Sequence, residues 1–344
     1  MKKTLIISNN YCYLDKIIDD YDVVIFRKAA HSAIQEDFFR DRYQFIKARH
    51  PKVQSSKDTP HAADFLGWNS ANESIEFKKN ILPHQNRLFS SLDFSIPEGF
   101  SSFKKKAERA LPKIFEAAIW PYDSEVTQRL EYFFDKKKLA SNYFNSRNGL
   151  VGHDYSTQLS PFLSCGALDV RHLYNCIKRY EEVNGANKST YWLVFELLWR
   201  EYFYWHYQKH QTHYFSQNGL KGPKSFSSIK NYEIDELRNL SSSDFFLASL
   251  NELENTGFLS NRVRQIFASV WINDLELPWL SGALLFERYL IDYDVYSNYG
   301  NWMYLAGVGV DPRGKRYFNV QKQLAQYDPL GEYISKWLEP HFRS

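Results

Sequence analysis

Charged side chains set inside aromatic stripes are the first residues of this chain that could do chemistry. In STYWLVFELLWREYFYW, Trp192, Phe195, Glu196, Trp199, Arg200 and Phe203 recur at steps of three and four, so they share one face of a helix predicted over 188–210. That face could hold a planar ligand whose polar edge bonds Glu196 and Arg200. It could equally be a core helix edged by an ordinary i,i+4 ion pair. The stretch from Asn261 to Trp302 is denser, with five acidic residues and three tryptophans in what otherwise reads as apolar helix. Asn261, Arg264 and Gln265 fall on one helical face, and an inward-pointing Arg264 requires a carboxylate, for which Asp292 and Asp294 are the candidates. Asp294, Asn298 and Trp302 step by four, which fits a functional face or the capped end of a helix before Gly300. A third group lies in DYSTQLSPFL, where Ser160 before Pro161 makes an N-cap and N1 pair and Ser156 and Thr157 add hydroxyls. This is plain capping, or the set of hydroxyls and unpaired N–H groups that a pyrophosphate takes at a helix N-terminus.

The elements that must position these residues are mostly helices. Apolar, β-branched runs at 4–8 and 22–26 predict two short strands, and 27–49 reads as helix. The Pro, Ser, Gly and Asn content of 83–101 predicts a linker. Helices are predicted over 102–118, 124–135, 160–182, 188–210, 244–255, 260–275 and 281–292, with almost no strand signal after residue 120. The fold class is therefore mainly α: an abbreviated α/β region over 1–95, then an all-helical domain over 96–344. Neither GxGxxG nor GxxxxGK[ST] occurs, so a Rossmann dinucleotide site or a P-loop is not supported.

Composition narrows the classes further. The chain has 344 residues, 44% hydrophobic and 24% charged, enough to bury a substantial core. No apolar run approaches the roughly 18 to 20 residues of a membrane span, and the first residues are too briefly apolar for a secretory signal, so a cytoplasmic location is expected. Cys12, Cys165 and Cys176 lack CxxC or Cys/His ligand spacing, which argues against a disulfide framework or a structural metal. A net charge of +3 neither announces nor excludes nucleic acid. The aromatic share of 17% is high enough to fill a helical core or to line a pocket for a flat cofactor.

Longer blocks carry a family resemblance. RNGLVGHDYSTQLSPFLSCGAL, STYWLVFELLWREYF, TGFLSNRVRQIFASVWINDL, LIDYDVYSNYGNWMYLAGVGVDPRGKRYFN and YDPLGEYISKWL resemble, in order and over roughly residues 140–340, the FAD-binding half of the cryptochrome/photolyase family, and more specifically its DASH branch. The resemblance implies an all-helical domain holding a folded FAD. Tyr143, Ser156, Thr157, Leu159 and Ser160 would serve its phosphate and ribitol region. Arg200, Arg264, Asp292 and Asp294 would frame flavin and ribose, with Arg264 paired to Asp292, and Asn298 would face flavin N5. Glu196, Trp199, Asn261, Gln265 and Tyr304 match lesion-pocket positions, with Glu196 and Asn261 also close to the cofactor, while Arg147 and Arg262 match positions near DNA phosphates.

The implied chemistry is light-driven electron transfer from reduced FAD to a cyclobutane pyrimidine dimer in single-stranded or locally opened DNA, by a monomer without membrane contact. The alternative is a blue-light sensor that keeps FAD without repair. Electron supply would run through Trp302 and Trp279, but the outer member of the family's relay is missing, with Glu236 in its place. Gln158 replaces a basic residue of the phosphate loop, and the short region 1–95 implies no folate- or flavin-type antenna.

Overall fold

The structure, a computed structural model, describes residues 86–116, 124–164, 167–225, 229–310 and 314–338, together with the backbone of 4–7, 23–27 and 53–56. Strands β1 (Thr4–Ile7), β2 (Val23–Arg27) and β3 (Val53–Ser56) form a parallel sheet in the order β1-β2-β3. Thr4 pairs with Val23, and Val24 with Val53. The first two strands agree with the sequence pattern. The third, VQSS, is too polar and short to stand out by alternation. The helix expected over 27–49 lies outside the described residues.

Everything else that forms regular structure among the described residues is helical. The helices fall into two compact units, residues 86–209 and residues 210–338.

In the first unit, α1 (Phe100–Ala110) stops where Pro112 follows Leu111. It is shorter than the 102–118 predicted, because a proline removes a helical N–H and disfavours helix in the residue before it. Helix α2 (Ser124–Leu130) runs on into a wider π-helical turn, Glu131–Lys136. After the single turn α3 (Tyr143–Ser146), the helix expected over 160–182 is two helices, α4 (Ser160–Ser164) and α5 (Val170–Asn184). The restart is set by Asp169, whose carboxylate accepts from Arg171 N–H at 2.7 Å. Helix α6 (Lys188–His210) matches its predicted range. Asn187 caps it, its side-chain oxygen accepting from the N–H groups of Ser189 (2.7 Å) and Thr190 (3.0 Å).

The expected linker over 83–101 is packed from its first described residue. Asn86 is 1% exposed; its amide nitrogen donates to the carbonyls of Leu163 (2.7 Å) and Leu168 (2.9 Å), and its amide oxygen accepts from Val170 N–H (2.8 Å). Leu88 N–H donates to the buried Glu201 carboxylate at 2.9 Å. The linker composition is thus packed inside: Asn86 closes the gap between α4 and α5 by meeting backbone groups there.

The second unit contains α7 (Ile234–Arg238), α8 (Asp244–Thr256), α9 (Asn261–Ser269), α10 (Trp279–Tyr289), α11 (Val295–Ala306), α12 (Val320–Tyr327) and α13 (Glu332–Leu338). Ser260 caps α9, accepting from Val263 N–H at 3.2 Å, and a π-helical turn, Val270–Asp274, extends it. Asp294 caps α11 through Ser297 N–H at 2.9 Å. Helix α11 passes through Gly300 and ends at Gly307, in the left-handed conformation at φ 74°. The glycine that stops the helix is therefore the later one. A Cβ at Gly307 would sit 2.3 Å from the Lys315 nitrogen, so no other residue fits there without backbone movement.

Candidate functional site

In the unit of residues 210–338, α9, the 292–294 turn and α11 line a pocket. Eight of the residues singled out from the sequence line it: Asn261, Arg264, Gln265, Asp292, Asp294, Asn298, Trp302 and Tyr304. The α9 residues share a wall because their spacing puts them on one face. The α11 residues share another because Asp294 fixes where that helix begins.

Arg264 donates through one terminal nitrogen to both carboxylate oxygens of Asp292, at 2.9 and 2.8 Å, and through Nε to Leu259 carbonyl at 2.9 Å. The Asp292 side chain is 4% exposed and Arg264 24%, so the pair forms a half-buried charge at the pocket wall. Of the two carboxylates left open by spacing, Asp292 is the partner; Asp294 is the helix cap. Asn298, which lines the pocket, donates its amide nitrogen to Ala283 carbonyl at 2.9 Å, which orients the amide. Tyr304 accepts a hydrogen bond from Arg316.

Trp302 is 2% exposed, and its indole N–H has no hydrogen-bond partner among the described residues. Its ring packs against Gly282 of α10, where a Cβ would come within 2.2 Å of the indole. Trp302 makes ring contacts with Trp271 (6.1 Å between centroids) and Phe286 (5.2 Å). Trp279 makes none with Trp302; its ring neighbour is Tyr299 at 6.4 Å, and its N–H donates to Gln217 carbonyl at 2.9 Å. Arg262 does not line the pocket. Its guanidinium covers Tyr327 at 4.6 Å and donates to Gln323 at 3.2 Å. Tyr293, Ser297 and Asn301 also line the cavity and were missed. Ser297 and Asn301 are a four-residue step apart beside Asn298, a signal that helix periodicity contains.

In the unit of residues 86–209, Glu196 meets Arg147 and Trp192. One carboxylate oxygen accepts from an Arg147 terminal nitrogen (3.3 Å) and from the Trp192 indole (3.1 Å), while the guanidinium covers the Trp192 ring at 4.8 Å. Burial among these groups raises the Glu196 carboxyl above its usual range, against the opposing pull of Arg147 and the Trp192 hydrogen bond. Burial also raises the Tyr143 phenol, and the charge of Glu196 raises it further. Tyr143, Arg147 and Glu196 therefore form one cluster.

Trp199 and Arg200, one turn further along α6, have other neighbours. Trp199 is stacked on Phe100, 3.6 Å between centroids and 10° from parallel. Arg200 donates to Asn86 carbonyl at 2.5 Å and to Leu163 carbonyl at 3.5 Å.

The 153–160 loop is organised from beneath by Arg129. Its guanidinium donates to the carbonyls of Thr157 (2.7 Å), Ser156 (2.8 Å) and His153 (2.7 Å). The Ser156 and Thr157 hydroxyls accept from Gln158 N–H and Leu159 N–H, both at 3.3 Å, and Gln158 adopts φ 52°. Helix α4 starts one residue earlier than Ser160 capping would require: Leu163 N–H bonds Leu159 carbonyl at 3.0 Å, so Leu159 is at the cap and Ser160 is the first helical residue. Arg129 was not foreseen, because an arginine in an amphipathic helix carries no mark of the loop it holds.

Comparisons with known proteins agree with this arrangement. Residues 192–342 match a family model described as the FAD binding domain of DNA photolyase, and FAD is the cofactor of such a domain. The chain is 46% identical over 225 residues to Cryptochrome DASH of Vibrio parahaemolyticus, covering 65% of this chain and 49% of the relative. It is 38% identical over 287 residues to Cryptochrome DASH of Idiomarina loihiensis, covering 73% and 64%. The chain thus spans about half to two thirds of the length of these relatives. Among solved structures, a cryptochrome from Synechocystis sp. PCC6803 superposes with a TM-score of 0.74 at 26% identity, covering 98% of this chain and 88% of that one. A class III photolyase from Agrobacterium tumefaciens, at 19% identity and a TM-score of 0.61, shares the fold. No described helix is long and apolar enough to cross a membrane. With its helical architecture, its polar pocket and these relatives, the chain belongs to the cryptochrome/photolyase family and resembles the DASH type.

Proposed function

We propose that the chain is a photolyase-like flavoprotein that splits cyclobutane pyrimidine dimers in single-stranded or locally opened DNA, acting as a cytoplasmic monomer. One observation carries the reading. Residues assigned by resemblance to the cofactor (Arg264, Asp292, Asp294, Asn298) and to the lesion (Asn261, Gln265, Tyr304) line a single cavity. A sensor would have no use for the second set.

Bound FAD would supply a photoexcited electron that this protein's own side chains cannot provide. The side chains bind and orient. The Arg264–Asp292 pair offers a fixed charge to flavin or ribose, the Asn298 amide oxygen offers an acceptor to a flavin N–H, and the N–H groups and hydroxyls of Ser156, Thr157, Leu159 and Ser160 serve phosphate. A carboxyl at Glu196 that holds its proton more tightly than usual can donate as well as accept toward a pyrimidine edge. Arg147 and Arg262 would meet DNA phosphates, and Trp302 and Trp279 would supply electrons.

A second reading has one observation in its favour. Phe100 already covers a face of Trp199, the residue assigned to stack on a flipped base, and a light sensor without repair would tolerate that. The decisive experiment illuminates chemically reduced, FAD-loaded protein with dimer-containing oligonucleotides. Repair of single strands in preference to duplexes is expected. FAD-loaded protein that repairs neither leaves the sensor reading in place.

A further inference from the structure

Aromatic rings in contact lead away from the pocket along a route that avoids Trp279. From Trp302 in the pocket wall, the Trp271 ring is 6.1 Å away and edge-on at 77°; from Trp271, the Tyr232 ring is 5.5 Å away at 87°. Trp271 is fully buried and Tyr232 is 9% exposed, with the Lys230 ammonium, itself paired to Glu236, 4.5 Å from its ring centre. Trp302 and Trp279 share no such contact, and the family resemblance puts Glu236 at the outer relay position.

We propose that Trp271 and Tyr232 are the electron-supply branch for Trp302, with Tyr232 as the terminal donor. The proposal rests on the FAD reading of the pocket, because its oxidant is light-excited oxidised flavin. Loss of one electron from Trp302 to that oxidant leaves an indole radical cation; an electron from Trp271 refills it and moves the hole outward.

Neither indole has a base to take its proton. Trp302 N–H has no partner among the described residues, and Trp271 N–H donates to Pro278 carbonyl at 3.0 Å, an acceptor too weak to deprotonate it. The hole therefore stays mobile until Tyr232 supplies one electron to Trp271 and releases its phenolic proton to water. The products are neutral Trp271, a neutral tyrosyl radical and one solvated proton. The tyrosyl radical is then reduced by a thiol supplied in solution, and the circuit is complete.

The test uses FAD-loaded protein with Trp271→Phe, Tyr232→Phe and Trp279→Phe, each checked for FAD absorbance and for its urea midpoint. Photoreduction under steady blue light in the presence of thiol, and electron paramagnetic resonance after a flash, are the two measurements. Trp271→Phe and Tyr232→Phe should each photoreduce about tenfold or more slowly and lose the tyrosyl signal. Trp279→Phe should retain it. Tyr232→Phe removes only a hydroxyl and keeps the ring, so it reads the branch even if Trp271→Phe folds poorly. Wild-type rates with an intact tyrosyl signal in Tyr232→Phe overturn the branch alone. Wild-type protein that takes up no FAD overturns the pocket reading and the branch with it.

Discussion

Removing the Asp292 carboxylate tests the pocket wall at its most charged point. Asp292→Ala leaves Arg264 with Leu259 carbonyl in place of a carboxylate that now accepts at 2.8 and 2.9 Å. At an effective dielectric of about 20, charges about 2.9 Å apart attract by about 6 kcal/mol, an upper bound before the cost of desolvation. Breaking a fully buried pair costs about 3 to 5 kcal/mol. Arg264 remains 24% exposed, and water will partly solvate it, so we expect about 3 kcal/mol. With a urea slope of about 2 to 3 kcal/mol/M, the midpoint should fall by about 1 M. FAD retention should weaken by about tenfold or more. The double variant Arg264→Leu with Asp292→Leu separates the two effects. Replacing both charges by apolar groups should recover most of the stability, because no charge is left uncompensated, yet it should not recover FAD. An Asp292→Ala protein with the wild-type midpoint and the wild-type FAD content would refute the claim that this pair builds the site.

Three other outcomes follow from the same geometry. Burial pushes the Glu252 carboxyl to about 7 from its ordinary 4.5, against the Tyr333 hydrogen bond and the charges of Lys336 and Arg264. The folded state thus binds the extra proton, and stability present below about pH 4.5 should decline by about 3 kcal/mol as pH rises through 7. Glu252→Gln should flatten that slope, and equal slopes in urea titrations at several pH values would contradict it. Glu196→Gln and Trp199→Ala should keep FAD while reducing dimer repair, so full repair by both would shift the weight to the sensor reading. Trp302→Phe should slow photoreduction of oxidised FAD and spare repair by chemically reduced protein; unchanged photoreduction would mean that electrons bypass Trp302.

What could be read from the chain depended on how locally each interaction is encoded. Arg264 and Asp292 were legible because a charge on an apolar helical face demands a partner, and the candidates lay within one downstream segment. The α6 stripe was legible because 3.6-residue periodicity is itself the signal. Asn86, by contrast, acts through backbone groups more than 75 residues away, and its Pro- and Ser-rich surroundings favour a loop reading. Gly300 misled because its own conformation is helical; the backbone of Gly307, which stops α11, depends on the Lys315 segment packed against it. Arg129 could not be recognised, since the three carbonyls that define its role belong to a loop whose path no propensity fixes.

Asn86 also decides where the chain can be cut. A fragment begun at residue 96, the start of the helical domain as the sequence suggests it, would strip partners from Leu163 carbonyl, Leu168 carbonyl, Val170 N–H and the Arg200 guanidinium at one stroke. It would also take Leu88 N–H from Glu201, a fully buried carboxylate whose pKa burial already raises. Any expression boundary for the helical part therefore belongs before Asn86. A protease that nicks the backbone just after this residue would detach a plug, not a tail.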